Sequence, residues 1–345
     1  MRKFLYSILV AFCLLSSCKT GAPWPDPELD ENHEIIAFYN VENLFDTIAD
    51  GQINDSEFLP GSRLDWNSKK YLTKLDQLAT VIEAMGYPIV MGLSEIENRG
   101  VLEDLVAQPQ MKDAQYEIAH INSSDPRGID CALLYKKGKF LVDTQYLVSA
   151  YDSGKRDPGR QQLIVEGRWL NGPATTFAVN HWPSRRGGTK QTERKRISAA
   201  RNLFIALFDR HDLDEDYIVI MGDFNDEPSN TSMVKTLNAG PNATDFQFVN
   251  LSYPEFTAGK GSYNYRGNWN MLDQIIVSKP FLNCMGGPCM DNAKVYSAPE
   301  LLFSHPEFGL SPNRTAGGPN YYGGYSDHLP VYAPIQIHSS SDSDL

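Results

Sequence analysis

Residues 218–226, Ile-Val-Ile-Met-Gly-Asp-Phe-Asn-Asp, run from four apolar side chains straight into polar ones. The apolar run has the length of a short strand buried on both faces, and Gly222 marks its end. Side chains two apart on a strand share a face, so Asp223 and Asn225 project together while Phe224 turns back into the core. The result is a polar pair at a sheet mouth, although Asp and Asn also form turns, as 226–228 (Asp-Glu-Pro) does. The pattern recurs. Asn40 and Glu42 follow the apolar run 35–39, Glu95 and Glu97 follow 88–94, and His120 lies near the end of 116–121. His181 ends 175–179 with Arg185 and Arg186 close behind, Asp273 opens 274–277, and Asp327-His328 lead into the last strand. Each alone suits a turn or a solvated surface equally well. Seven together make a candidate site, because in α/β proteins such strand ends gather on one edge of a sheet. Oxygen ligands without cysteine suit Mg2+ or Mn2+, whereas zinc sites show closer His or Cys spacing. Two imidazoles beside such a metal suit acid–base work on a phosphoester.

The elements that must hold these ends show as periodicity. Tyr71, Leu72, Leu75, Leu78, Ala79, Ile82 and Met85 recur at three and four, so 68–85 reads as a helix capped by Asn67 or Ser68 and stopped by Gly86. Residues 98–108 and 192–208 read as further helices, the latter with Thr192 as cap and Ala199, Ala200, Leu203, Phe204 and Leu207 as its buried stripe; 229–237 reads as a short one. Strands are expected at 129–135, 140–148, 163–170 and 175–179, the last two paired through Asn171-Gly172-Pro173. Residues 280–324, rich in Gly, Pro and Asn, show no periodicity. The 345 residues, 41% hydrophobic and 11% aromatic, suffice for one large core and exclude general disorder. With a formal net charge of −12, a phosphate-bearing substrate must be met by local cations or by metal ions on carboxylates, not by the average field.

Residues 1–17 read as a targeting signal: Arg2 and Lys3 give the charged start, 4–14 the apolar stretch, and Leu15-Ser16-Ser17-Cys18 resembles a bacterial lipobox. That resemblance implies cleavage before Cys18 and its lipidation, hence an exported, membrane-anchored lipoprotein at the periplasmic or outer face of an envelope. A simple secretory signal with an incidental cysteine is the alternative. Cleavage removes two basic residues and no acidic one, taking the charge from −12 to −14. Residues 18–34, rich in Pro, Asp and Glu, then form the lipidated anchor and linker, 35–338 the catalytic domain, and 339–345 a disordered tail. No later run reaches the ~18 apolar residues that span a bilayer. Cys284 and Cys289 bracket a Met-Gly-Gly-Pro turn and favour a disulfide over a metal site, and Cys131 reads as inert core.

In the order Tyr39-Asn40-Val41-Glu42-Asn43, Leu93-Ser94-Glu95, Asn180-His181-Trp182-Pro183, Gly222-Asp223-Phe224-Asn225, Leu272-Asp273-Gln274-Ile275 and Ser326-Asp327-His328-Leu329-Pro330, the chain resembles the endonuclease/exonuclease/phosphatase superfamily over nearly all of 35–337. The resemblance implies a four-layer α/β/β/α sandwich of two packed mixed sheets flanked by helices, and a hydrolase dependent on Mg2+ or Mn2+. It makes Glu95 the principal metal ligand, with Asn40 and Glu42 beside it and Asp327 close enough to share a metal. It makes Asp223 the residue that aligns or deprotonates water, Asn225 a holder of phosphate oxygen, His328 the imidazole facing the phosphate with Asp273 orienting it, and His181 a general acid. An in-line attack loads charge onto equatorial and leaving oxygens, which a metal, an imidazolium and an amide can share. Ser94 departs from the Gln usual before the metal-binding glutamate. Arg127, Asp130, Arg156, Arg160, Arg185 and Arg186 are the substrate-binding candidates, each equally readable as surface charge. The expectation is a monomeric phosphodiesterase cleaving nucleic acid. The alternatives are a phosphatase or sphingomyelinase-like hydrolase of sugar, inositol or lipid-headgroup phosphates, and, more remotely, an inactive binding lipoprotein.

Overall fold

In the first strand Ile35, Ala37 and Tyr39 face one way, Ile36 and Phe38 the other, and all five are buried. A strand covered on both faces belongs to an inner layer. The computed structural model describes residues 24–27, 29, 33–151, 159–284 and 287–337; the signal segment, Cys18, Arg156 and the 339–345 tail lie outside them. In chain order the elements are β1 (Glu34–Leu44), α1 (Ser68–Ala84), β2 (Val90–Ile96), α2 (Arg99–Val106), β3 (Tyr116–His120), β4 (Asp130–Lys136), β5 (Phe140–Val148), β6 (Gln162–Trp169) and β7 (Ala174–His181). They continue with α3 (Thr189–Phe208), β8 (Tyr217–Asp223), β9 (Ala239–Gly240), β10 (Phe248–Asn250), α4 (Tyr253–Thr257), β11 (Tyr263–Tyr265), β12 (Asn268–Asn270) and β13 (Asp273–Ser278). The last are β14 (Cys289–Met290), β15 (Lys294–Val295), β16 (Leu302–His305), β17 (Gly309–Pro312), β18 (Ala316–Gly317), β19 (Asn320–Tyr321) and β20 (Val331–Gln336).

Two seven-stranded sheets result, both mixed. One runs β14-β20-β1-β2-β4-β3 with β15 also on β20; the other runs β5-β6-β7-β8-β13-β10-β9. Ile36, Phe38, Val90 and Leu133 of the first meet Val179, Val219, Met221 and Ile275 of the second in the central core. Leu75, Leu78 and Ile82 of α1, with Leu102 and Leu105 of α2, cover the outer face of the first sheet. Ala199, Ala200, Leu203 and Leu207 of α3 cover the second. This is the expected α/β/β/α sandwich.

Local chemistry accounts for the element ends. Asn67 Oδ1 accepts the Lys70 N–H and caps α1, as one of the two candidates there. In α3, however, the N-cap is Gly188 at φ 112°, and Thr192 lies inside, its hydroxyl donating to the Gly188 carbonyl. The strand β8 does not stop at Gly222 but runs through it to Asp223, because glycine is what allows the approach of β7: a Cβ there would sit 2.3 Å from the Asn180 carbonyl oxygen. Residues 280–324 contain strands of two to four residues, too short to show a period. Part of the 18–34 segment docks, with Trp24 edge-on to Tyr325 and the Pro25 carbonyl accepting from the Tyr296 hydroxyl. Cys284 and Cys289 are disulfide-bonded, and burial pushes the thiol of Cys131 up. Among the described residues no helix is long and apolar enough to cross a membrane.

Candidate active site

Strand direction explains why these side chains meet. β1 and β2 are parallel, as are β7 and β8, so all four deliver their carboxyl ends to one edge. β13 and β20 run antiparallel to β8 and β1, so their starts arrive at that edge. Asp223 and Asp273 are register partners. Asn40 links the sheets: its Nδ2 donates to Glu95 Oε1 at 3.3 Å and to Asp223 Oδ2 at 3.1 Å.

The His328–Asp273 pair forms the imidazole–carboxylate half of the site. His328 Nδ1 donates to Asp273 Oδ2 at 2.6 Å, leaving Nε2 3.9 Å from Asp223. Burial pulls the imidazole's pKa down, but the Asp273 and Asp223 carboxylates outweigh it and hold the pKa well above the usual value. Ser262, which the sequence reading missed, donates its hydroxyl to the same Asp273 oxygen and accepts the Asp273 N–H. Burial raises the Asp223 carboxyl to about 7, with Asp273 adding to it and His328 opposing. Asn225 spends its Nδ2 on the Trp182 carbonyl and on Asp223, so in the free protein it holds that carboxylate in place. His181 lies 3.4 Å from Asp223 and 3.7 Å from Glu95, with its Nε2 against the Arg160 guanidinium. Burial first, then Arg160, holds this imidazole neutral, which does not suit a proton donor. Arg160 also donates to the Trp182 carbonyl.

The carboxylate half is shaped by bulges. Register slips between Asn40 and Leu44 on β1 and between Ser94 and Ile96 on β2 coincide with left-handed Glu42, Asn43 and Glu95 at φ 50°, 56° and 66°. Such non-glycine conformations cost of order 1 kcal/mol each and are retained where they aim side chains. They turn Glu95 to the pocket, where it accepts the Asn43 N–H. Glu42, which the family resemblance puts beside Glu95, lines a cavity of about 220 Å³ together with Glu95 and Asp327, while its carboxylate accepts the N–H groups of Thr315 and Ala316. Asp327 pairs with Arg314 at 2.7 Å. Glu95 and Asp223 supply carboxylate oxygens that fit a hard divalent ion, whereas Asn40 turns its Nδ2 to both of them and its Oδ1 accepts the Glu42 N–H. Asp223, Asp273 and His328 also place ligand atoms within 4.8 Å of one another, though His328 Nδ1 is already committed to Asp273.

A pocket of about 750 Å³ opens over this edge, lined by Glu95, Arg160, His181, Asp223, Asn225 and His328, and walled by β11, β12 and 184–189. Tyr263 packs its ring 4.9 Å from that of His328. Of the cationic candidates, Arg185 lines the pocket but its donors go to the Asn225 carbonyl, Asn270 and Asn230. Arg186 is exposed at the rim. Arg127, paired with Asp125, lines a neighbouring cavity of about 260 Å³ with Arg160 and Arg186. Asp130 does not face the pocket; it is buried against His120 at 3.0 Å, which likewise takes His120 out of the cluster of strand ends. Arg314, Thr315 and Lys74 were invisible to motif reading, since none closes an apolar run.

A sequence model described as the endonuclease/exonuclease/phosphatase family matches residues 35–337. No curated protein sequence gives a significant match. Among solved structures, the human Nocturnin catalytic domain with bound sulfate is similar at TM-score 0.55 and 15% identity, covering 89% of this chain and 95% of that one. A mannosyl-6-phosphatase of Bacteroides thetaiotaomicron gives 0.55 and 14%, covering 88% and 99%. D. rerio TDP2 complexed with single-strand DNA product gives 0.54 and 13%, covering 88% and 99%.

Proposed function

The chain belongs to the endonuclease/exonuclease/phosphatase family, and from that premise we propose that it is a divalent-metal-dependent phosphoester hydrolase whose substrate is a compact phosphoester. The observation that carries the reading is the convergence of the His328–Asp273 pair, Asp223 and Glu95 around one pocket mouth. Glu95, with Asp223 and with Asn40 Nδ2 steadying both carboxylates, would hold Mg2+ or Mn2+, which supplies a Lewis acid for the phosphate oxygens. Asp223 accepts the proton of the attacking water, Asn225 fixes the Asp223 carboxylate, and protonated His328 donates from Nε2 to the phosphoryl oxygens. His181 accepts from Arg160 and so orients that guanidinium toward the pocket.

Compactness is favoured by volume and by cations. About 750 Å³ suits a small phosphorylated molecule. Arg185 is spent on loop contacts, and the net charge of −12 gives no polyanion-attracting field. Nucleic acid is the second reading: Tyr265 stands exposed at the rim, where a base can stack, and the TDP2 relative carries a DNA strand. The test is phosphate release from sugar, inositol and nucleoside phosphates, beside plasmid nicking, with Mg2+ or Mn2+ and with chelator, for wild type, Glu95→Ala and His328→Ala. Chelator-sensitive release reduced about 100-fold or more in both variants is expected. Nicking without release moves the substrate to nucleic acid, and turnover untouched by chelator or by either substitution sinks the site assignment.

We further propose, on the lipobox alone, that the protein is exported and tethered through Cys18. Radiolabelled palmitate incorporated by wild type and lost in Cys18→Ser is the expected outcome; equal labelling of both overturns it.

A further inference from the structure

Arg160 is a buried cation without a carboxylate. It is 9% exposed, and among the described residues no acidic side chain forms an ion pair with it; only Nη1 donates, to the Trp182 carbonyl and against His181 Nε2. Arg196, enclosed too, pairs with Asp226 at 2.8 Å. An enclosed guanidinium stays charged, so a missing counter-charge costs free energy until an anion supplies it. Burial first, then the Arg127 charge, pull the Arg160 pKa down, while Glu95 and Asp223 oppose them and are the two carboxylates that a divalent ion would take. The guanidinium stands in a wall between two spaces: Arg160, Ser184 and Arg186 line both the pocket over Glu95 and the neighbouring cavity of about 260 Å³. That cavity adds Arg127 and Lys195 and holds one carboxylate, Asp125, which Arg127 already pairs with at 2.7 Å. Four cations around one paired carboxylate make this a local reversal of sign in a chain of net charge −12.

We propose that the cavity beyond Arg160 is a second anion subsite, and that the substrate is a compact phosphoester carrying a second anionic group, a phosphate or a carboxylate, which sits there. The reacting phosphate occupies the pocket at Glu95, and the second anion lies across the shared wall, where it gives the Arg160 guanidinium its missing counter-charge. Arg186 and Lys195, both exposed and without a partner among the described residues, can turn to it, and Ser184 adds a hydroxyl to the wall. Such charge-assisted hydrogen bonds are strong where water is partly excluded. The volume of this cavity, about a third of that of the pocket, suits one such group rather than a further large moiety.

The inference rests on the hydrolase reading of the neighbouring pocket, and two readouts keep them apart. Sulfate titration calorimetry on the full chain in chelator reads the subsite without turnover, for wild type, Lys195→Glu and Arg194→Glu. The last is an equal charge change at an exposed α3 residue that lines neither space. Initial rates with Mg2+ or Mn2+ then compare fructose 6-phosphate with fructose 1,6-bisphosphate, and glycerol 3-phosphate with 3-phosphoglycerate. Sulfate should bind wild type and Arg194→Glu alike and Lys195→Glu about tenfold more weakly. In at least one pair the ester with the second anion should show a KM about tenfold lower than its counterpart, a preference that Arg194→Glu keeps and Lys195→Glu loses. The pair that shows it tells phosphate from carboxylate. Sulfate binding that is absent or indifferent to Lys195→Glu, or turnover with equal KM within both pairs, overturns the subsite and leaves the hydrolase reading standing. Sulfate bound as expected without metal-dependent turnover of any ester overturns the hydrolase reading and upholds the anion site.

Discussion

At the scale of single residues, the proposed chemistry turns on the charge of one imidazole. His328 is buried, which alone would favour the neutral ring, yet Asp273 at 2.6 Å reverses that. Because the folded pKa is raised above the usual 6.5, the protonated form survives to higher pH than in the unfolded chain. Removing the carboxylate must therefore bring the pKa down and move the alkaline limb of the rate profile toward lower pH. Asp273→Asn is expected to lower kcat about 100-fold at pH 8 with KM little changed, and to recover part of the loss near pH 6. A variant whose profile merely scales down without shifting would show that Asp273 acts otherwise. Ser262→Ala, which strips one hydrogen bond from the same carboxylate, should cost about tenfold. The difference between the two residues also marks what sequence reading can reach. Asp273 and His328 each adjoin an apolar run, so periodicity points to them. Ser262 stands in an aromatic and polar loop and reaches Asp273 only because β13 folds back beside it, a contact that no local pattern encodes.

At the scale of elements, helix α1 does more than cover a sheet. Its apolar stripe was legible from spacing, but Lys74 lies on the buried face among Leu75, Leu78 and Tyr71 and is almost fully enclosed. A lysine in a helix reads as solvated unless its partners are known, and here they lie 241 and 251 residues away, at Thr315 and Tyr325. The bulges on β1 and β2 were equally hidden, since alternation assumes a regular pleat. Burial lowers the Lys74 ammonium to about 8, with Glu42 pulling the other way. The folded pKa is below the unfolded value, so above pH 8 the unfolded chain binds more protons and stability rises with pH. Wild type should gain on the order of 2 kcal/mol from this group between pH 8 and 9.5, short of the tyrosine range. Urea unfolding at pH 7, 8 and 9.5 should show that gain in wild type and a flat difference in Lys74→Met. The same rise in both proteins would remove Lys74 as its source.

At the scale of the whole molecule, the site exists only while two sheets keep their spacing, because Glu95 belongs to one and Asp223 to the other. Strand order within each sheet was not legible: nothing local says that β20 pairs with β1 or that β13 inserts beside β8. What the sequence did carry was a requirement for closeness. Gly92, three residues before Glu95, sits on the inner face of β2 opposite Met221, two residues before Asp223. A Cβ at Gly92 would lie 2.6 Å from Met221 Sδ and 3.1 Å from the Phe38 ring. A valine there must push the sheets apart or force Met221 from its rotamer, an overpacking cost of about 1–3 kcal/mol. The mouth feels the same displacement, since Asn40 spans Glu95 and Asp223 with hydrogen bonds of 3.3 and 3.1 Å that cannot both survive a shift of about 1 Å. Gly92→Val is therefore expected to lower Tm by several degrees and, separately, to reduce kcat by 10-fold to about 100-fold at temperatures where it is fully folded. Adding Met221→Ala makes room for the valine and should restore much of both losses, the double variant being more active than Gly92→Val alone. If Gly92→Val loses stability but keeps wild-type kcat, the spacing of the sheets does not set the geometry of the mouth. If Met221→Ala rescues Tm without kcat, the displacement runs through the backbone of β2 to Glu95 rather than across the core.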